Sequence, residues 1–148
     1  MKKLLTLLVA ISLTTITLNC SSDRSDDTTQ QAQDFTNATY IKNTMVGKWK
    51  FTAHESSAGV WVNTTYDSYF VFKTDNTYEY KSVYDTSIIP LQTGTYTITP
   101  VSGNNNAYLT LTYTENNKTY TRKIILKSLE GNVVTIFEDT WNERYTKQ

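Results

Sequence analysis

Apolar and polar residues alternate along most of the chain from residue 47 onward. Because successive side chains of a strand point to opposite faces, this two-residue period predicts strands that each bury one face. Threonine and tyrosine, which fit such a half-buried pleated surface, are frequent in the same region. The predicted strands are Gly47–Glu55, Val60–Asn63, Ser68–Lys73, Thr77–Tyr84, Thr93–Thr99, Ala107–Thr114, Thr119–Lys127, Val133–Glu138 and Trp141–Thr146.

Short segments rich in Asn, Asp and Gly separate these strands, for example Asp75-Asn76 and Glu130-Gly131-Asn132. These residue types tolerate the left-handed backbone of tight hairpins, so neighbouring strands should pair antiparallel. Only Thr36–Met45 has a pattern that suits a short helix, which Gly47 would end. The predicted fold class is all-β: an antiparallel up-and-down barrel of eight to nine strands, with a short helical turn before the first strand. Closure into a barrel removes exposed strand edges.

Aromatic residues recur at the inward-facing positions of the predicted barrel. Tyr78, Tyr80 and Tyr84 share one strand face, and Glu79 and Lys81 lie on the other. An eight-stranded barrel is just wide enough to be filled by side chains or to hold one small ligand. Tyrosine rings combine apolar area with a hydroxyl, which suits a small hydrophobic or amphiphilic ligand; the alternative is a filled core whose hydroxyls reach the rim. The candidate ligand-binding residues are Phe72, Tyr78, Tyr80, Tyr84, Tyr96 and Tyr113.

The N-terminal region has the pattern of an export signal. Lys2 and Lys3 precede the apolar stretch Leu4–Leu18, which at 15 residues is shorter than the about 20 that a transmembrane helix needs. We therefore expect residues 1–19 to be a cleaved signal peptide. Residues 20–40 are polar, and we expect them to form a flexible tether that leads to one domain over residues 41–148.

Charge and residue usage argue against several classes of function. The chain has 14 basic and 14 acidic residues, and removal of Lys2 and Lys3 with the signal leaves 12 basic ones. This balance offers no footprint for nucleic acid. His54 is the only histidine and Cys20 the only cysteine, too few for a nucleophilic catalytic arrangement or a zinc site. We expect no catalytic residue, no metal and no cofactor, and therefore no enzyme.

Polar residues on two of the predicted strands have ordinary structural explanations. His54 follows Trp49 and Phe51 at an even position, so strict alternation predicts that it lies on the surface. Glu138, Asp139 and Glu143 could suggest a carboxylate pair for glycoside chemistry. Their sequence positions favour a solvated turn between the last two strands.

The residues Ile16-Thr17-Leu18-Asn19-Cys20 resemble a lipobox, the signal after which a diacylglyceryl group is attached to the cysteine. Thr17 and Asn19 depart from the strictest pattern, as in the looser lipoboxes of Bacteroidetes lipoproteins. Ser21–Asp27 resembles the Ser/Asp-rich tag that sends such proteins to the cell surface. The resemblance implies an outer-membrane protein anchored through lipid at Cys20, either displayed on the cell surface or facing the periplasm. The alternative is a soluble secreted protein.

Three further motifs resemble lipocalin-like lipoproteins: Gly47-Lys48-Trp49, the hairpin Phe72–Tyr78 and the strand segment Gly94–Ile98. In lipocalins the tryptophan plugs the closed end of the barrel and a basic residue packs across its ring. The resemblance therefore implies a structural pair of Trp49 and Arg144, with Lys147 as the substitute. It also implies a monomeric barrel that binds or carries a small hydrophobic or amphiphilic ligand.

An interaction module is the second function that the sequence allows. A filled barrel could present its loops, such as Asp85–Leu91 and Gly103–Asn106, to a protein or glycan at the cell envelope. Trp61 and Trp141 are candidate exposed anchors for such a partner, because aromatic residues are enriched at binding hot spots. The sequence does not identify a protein partner.

Overall fold

The structure, a computed structural model, describes residues 35–84, 87–88 and 90–148. The predicted signal peptide over residues 1–19, the lipidation site at Cys20 and the tether up to residue 34 lie outside the described residues. Within the described ranges, no helix combines the length and the apolar character needed to cross a membrane.

A short helix precedes the first strand, as the sequence predicts. The helix α1 spans Ala38–Met45, and the Asn37 side chain accepts a hydrogen bond from the Tyr40 amide at 3.0 Å to cap its first turn. Met45 and the preceding Phe35 are both buried. The packed core thus includes Phe35, which precedes the predicted boundary between tether and domain at residue 41.

Eleven strands follow α1 in the described residues. They are β1 (Gly47–Ser57), β2 (Val60–Asn63), β3 (Tyr69–Phe72), β4 (Thr77–Lys81), β5 (Val83–Tyr84), β6 (Ser87–Ile88), β7 (Gln92–Pro100), β8 (Ala107–Glu115), β9 (Lys118–Glu130), β10 (Val133–Glu138) and β11 (Trp141–Lys147).

Eight of these strands form a closed antiparallel barrel, in the ring order β1, β3, β4, β7, β8, β9, β10 and β11. The pairing of β11 with β1 closes the ring. Strand β2 pairs with β1 outside the ring, and β5 and β6 form a separate two-stranded ribbon between β4 and β7. The predicted fold class is confirmed as a closed eight-stranded barrel with one outside strand and a short helix before the first strand.

The predicted strand Thr77–Tyr84 is interrupted after Lys81. The hydroxyl of the buried Ser68 accepts a hydrogen bond from the Val83 amide at 2.8 Å and donates one to the Val83 carbonyl at 3.1 Å. Because a side chain satisfies both backbone groups of Val83, this residue needs no partner in the barrel sheet. The chain leaves the wall here, and the predicted single strand is wrong over its last residues.

A bulge in β1 changes which side chains enter the barrel. Phe51 pairs with the buried Tyr145 of β11, and after the bulge Ala53 pairs with Arg144 and His54 with Glu143. One extra residue reverses the inward and outward sets of a strand. His54 therefore shares the inward face with Phe51, and the predicted surface position of this histidine is wrong.

Large side chains fill the half of the barrel next to α1. Trp49, Phe72, Tyr78 and Tyr96 are each no more than 2% exposed. Aliphatic residues of β8, β9 and β10 complete this core together with the buried residues of α1. They are Leu109, Leu111, Ile124, Leu126, Val134 and Ile136.

Trp49 plugs the end of the barrel below α1. Its indole nitrogen donates to the Met45 carbonyl at 2.6 Å, and the Lys147 ammonium lies 5.4 Å from its ring centroid. Lys147 also donates to the Thr44 carbonyl at 2.8 Å, so both side chains cap the C-terminus of the helix. The predicted pair of Trp49 with Arg144 is not formed. The Arg144 guanidinium lies on the outer face, 3.7 Å from the Trp61 ring centroid.

Candidate functional site

Three of the predicted ligand-binding residues belong to the filled core. Phe72, Tyr78 and Tyr96 are buried, and the two hydroxyls have internal partners. The Tyr78 hydroxyl donates to Gln92 and the Tyr96 hydroxyl to the Lys73 carbonyl, both at 2.9 Å. Burial raises the pKa of Tyr78 to about 12, so its hydroxyl stays neutral at physiological pH. These side chains belong to the packed core of the barrel.

Tyr80 and Tyr113 lie farther from α1 along the barrel and are half-buried. The Tyr80 ring stacks on Phe70 with a centroid distance of 4.3 Å, and Tyr113 stacks on Tyr120 at 5.4 Å. Tyr84 belongs to β5, which pairs with β6 and not with the barrel sheet. The six predicted residues are therefore not brought together in one place.

An ion pair closes the space above the core. Arg122 of β9 has the same parity as the buried Ile124, and its guanidinium forms two hydrogen bonds with the Glu138 carboxylate. The guanidinium carbon lies 5.9 Å from the ring centroid of Phe70 on β3, four strands away from β9 in either direction around the ring. The side chain thus crosses the lumen to the opposite wall.

Burial opposes the charge on Arg122, but the hydrogen bonds and attraction of Glu138 outweigh it and raise the pKa of the guanidinium. The guanidinium therefore stays charged. Removal of one partner from a buried ion pair leaves an uncompensated charge and typically costs about 3–5 kcal/mol. The prediction that Glu138 lies in a solvated turn is wrong, because this carboxylate is held inside the barrel.

A second carboxylate, Glu143, enters the barrel from β11. It is half-buried and accepts a hydrogen bond from the Tyr145 hydroxyl at 2.9 Å. Burial raises the pKa of Glu143 above its usual value, and the nearby charge of Glu138 raises it further. The Tyr145 hydrogen bond, Arg122 and His54 act in the opposite direction and only partly offset this. The predicted solvated-turn position is wrong for this carboxylate as well.

The end of the barrel opposite α1 contains a cavity of about 350 Å³, which we call the mouth cavity. This volume falls at the lower end of the range for small-molecule sites. Three aromatic rings supply apolar walls, and a hydroxyl, an imidazole and a carboxylate supply polar groups. Trp141 stands at the rim with 53% of its surface exposed. The lining residues within the described part of the chain are Phe51, His54, Ser56, Tyr66, Trp141 and Glu143.

Another groove, of about 490 Å³, lies outside the barrel between α1 and β7. Short polar side chains such as Thr39, Asn76 and Thr97 dominate its described lining. Its one aromatic residue among these, Tyr96, is only 2% exposed. Aromatic walls with a few converging polar groups are typical of small-molecule sites, and three aromatic residues are among the described lining of the mouth cavity, so this smaller cavity is the better candidate.

Comparisons of the chain with known protein families, with curated proteins and with solved structures found no match. The case for a site therefore rests on the geometry of the chain itself. Within the described residues, no group of three or more His, Cys, Asp or Glu side chains is placed to hold a metal ion. The mouth cavity offers hydrogen bonding, one carboxylate and aromatic faces.

Most of the mouth cavity was not predicted from the sequence. The sequence indicates Trp141 as a candidate anchor for a macromolecule and not as part of a cavity. Tyr66 lies in a loop without any periodic signal. Alternation placed Phe51 on the inward face and His54 on the outward one. The position of His54 could have been predicted only from a sequence feature that marks the bulge at Thr52. This bulge brings the histidine into the same cavity as Glu143.

Proposed function

We propose that the protein is a lipid-anchored barrel whose mouth cavity binds a small amphiphilic ligand. The observation that carries this proposal is the pairing of three aromatic rings with the polar groups of His54, Ser56 and Glu143 in one cavity. A closed floor of packed side chains lies below it, so the ligand is held at the rim and does not enter the barrel. Binding is passive: the rings desolvate the apolar part, and the polar groups orient the other end.

The resemblances support the setting of this activity. The lipobox-like segment ending at Cys20 supports a lipid anchor in the outer membrane, with display at the cell surface. The motif Gly47-Lys48-Trp49 supports a lipocalin-like barrel, in which the Trp49 side chain closes the end opposite the binding mouth. In this proposal the ligand site differs from the six tyrosine and phenylalanine positions that alternation suggests.

A specific observation favours an interaction module as the second candidate. Val60 and Val62 of β2 are 53% and 42% exposed, and the likewise exposed Trp141 stands at the rim of the mouth cavity. Exposed apolar side chains of this kind suit contact with a protein surface. Trp61, in contrast, is half-buried beneath Arg144 and is not available as an anchor.

Native mass spectrometry of the full-length protein extracted from its own membrane tests the binding function. Ser56 lines the mouth cavity, so Ser56→Phe should occupy it with a ring. Ser57→Phe is the matched control, because Ser57 is exposed and is not among the described lining residues. We expect a small-molecule mass on the unaltered protein and on Ser57→Phe, and its loss in Ser56→Phe.

Two results would overturn the proposal. A bound mass that persists in Ser56→Phe places the ligand outside the mouth cavity. Bare protein masses for all three forms, together with normal folding, exclude a co-purifying ligand. Cross-linking through the exposed Trp141 rim would then test the interaction module.

A further inference from the structure

We propose that the ligand of the mouth cavity carries a small organic cation, an alkylammonium group, that binds against the Glu143 carboxylate. This inference rests on the proposed binding function and adds the chemical class of the ligand. It follows from the charges of the cavity, from its aromatic walls and from the state of Glu143.

Among the described residues, the charges of the mouth leave one negative group in excess. The Arg122 guanidinium forms an ion pair with the Glu138 carboxylate, and these two charges cancel. Glu143 receives one hydrogen bond from the described part of the chain, which the Tyr145 hydroxyl donates to Oε2. This neutral donor leaves the carboxylate charge uncompensated.

Cationic side chains that could receive an anionic ligand are placed elsewhere. None of the described residues that line the mouth cavity is Lys or Arg. Arg144 lies outside over Trp61, and Lys147 lies at the far end over Trp49. His54 pairs with Glu143 in the β1–β11 register. A carboxylate or phosphate ligand would therefore meet net repulsion, and a cation would meet attraction.

The aromatic walls suit the same chemistry. Phe51, Tyr66 and Trp141 surround the space beside Glu143, and the faces of aromatic rings attract cations. Quaternary and alkylated ammonium groups are recognised in proteins by such aromatic cages. The chain already uses this contact internally, since the Arg122 guanidinium lies 4.9 Å from the Tyr80 ring centroid.

Binding of a cation should be linked to the protonation of Glu143. Burial and Glu138 raise the pKa of this carboxylate, whereas Arg122, His54 and the Tyr145 hydroxyl lower it. A cation binds the ionised form better, so its affinity rises as the pH increases through the pKa of Glu143 in the free protein. His54 also lines the cavity, so the variant His54→Gln separates its contribution from that of Glu143.

The test uses full-length protein in lipid nanodiscs and three soluble probes that share one chain length: hexyltrimethylammonium, 1-hexanol and hexanoate. Calorimetric titrations are corrected with empty nanodiscs. We expect hexyltrimethylammonium to bind about tenfold more tightly than the other two probes, as a cation–π site with a counter-charge requires. Glu143→Gln should reduce it to the affinity of the alcohol. Glu115→Gln, the same change at an exposed position, should leave it unaltered.

The pH profile keeps the test valid if Glu143→Gln fails to fold. In the unaltered protein and in His54→Gln, hexyltrimethylammonium affinity should rise from about pH 5 to about pH 8, whereas 1-hexanol affinity stays flat. Equal affinity of the cation and the alcohol at a site blocked by Ser56→Phe overturns the cationic ligand but leaves the binding function standing. Failure of all three probes, together with bare protein in the mass spectra, overturns both.

Discussion

Glu143 couples the stability of the barrel to pH. Its pKa is raised by folding, mainly through burial. A group with a raised pKa contributes stability that is fully present below its unfolded pKa and is lost as the pH rises through the folded one. We therefore expect Glu143→Gln to be more stable than the unaltered protein at pH 8, where the buried carboxylate of the unaltered protein is charged. The two should converge on acidification.

Urea unfolding of both forms across this pH range measures the difference. Glu130→Gln is the matched control, because Glu130 is exposed and its change should be small at every pH. A constant difference between Glu143→Gln and the unaltered protein at all pH values would contradict the assignment of Glu143 as a buried, titrating carboxylate.

The Arg122–Glu138 pair makes a second prediction at the residue scale. Arg122→Met should destabilise the barrel, because Glu138 is left inside without its partner; about 3–5 kcal/mol, the cost for a fully buried pair, is the upper bound, since the two side chains are 25% and 16% exposed. The double change Arg122→Met, Glu138→Leu should recover most of this loss, since an apolar pair of similar volume leaves no buried charge.

A double-mutant cycle by chemical denaturation tests this pair. The exposed pair Lys73–Glu79 serves as the comparison, and Lys73→Met should have little effect on the free energy of unfolding, because solvent screens an exposed ion pair. Equal losses for Arg122→Met and Lys73→Met would show that the guanidinium is hydrated and does not close the lumen.

Individual strands were predictable where their register is uninterrupted. In β7 and β8 the inward set predicted from alternation includes Tyr96, Leu109 and Leu111, and all three are buried. Alternation failed where a single residue changed the backbone path. The bulge before Ala53 carries His54 to the inward face, and the Ser68 hydroxyl ends the barrel strand before Val83. Neither the bulge nor the end of the strand can be recognised from the alternation of apolar and polar residues in the sequence.

Gly94 makes a prediction about the packing of strands β4, β7 and β8. A Cβ atom at this position would lie 2.0 Å from the Thr112 carbonyl oxygen and 2.9 Å from the Tyr78 ring. The backbone of β8 cannot yield as a flexible side chain could. Gly94→Ala should therefore cost at least the about 1–3 kcal/mol of ordinary overpacking. Thr95→Ala, at the exposed neighbouring position, is the control, and thermal unfolding of both variants provides the measurement. Similar midpoints for the two would contradict this close approach.

At the scale of the whole molecule, the mouth cavity exists only because the barrel closes. Phe51, His54 and Ser56 come from β1, whereas Trp141 and Glu143 come from the other end of the domain in β11. The number of strands and the length of the turns are sufficient to predict that the meander closes into a barrel. The residues that meet across the closing seam depend on the register of β1 with β11 and on its bulge. Long-range register of this kind is set by packing and is not encoded locally.

Cys20 makes a prediction about the whole protein at the membrane. The lipobox-like segment implies that this residue carries acyl chains, and several chains anchor a protein firmly whereas one binds only reversibly. We expect Cys20→Ala to abolish lipid labelling and to release the protein from the membrane fraction. Its unfolding midpoint should match that of the unaltered protein, because the packed core lies within residues 35–148. Metabolic labelling with a fatty acid, combined with fractionation, provides the measurement, and Ser21→Ala is the control. Membrane retention without labelling in Cys20→Ala would show that another part of the chain holds the protein at the membrane.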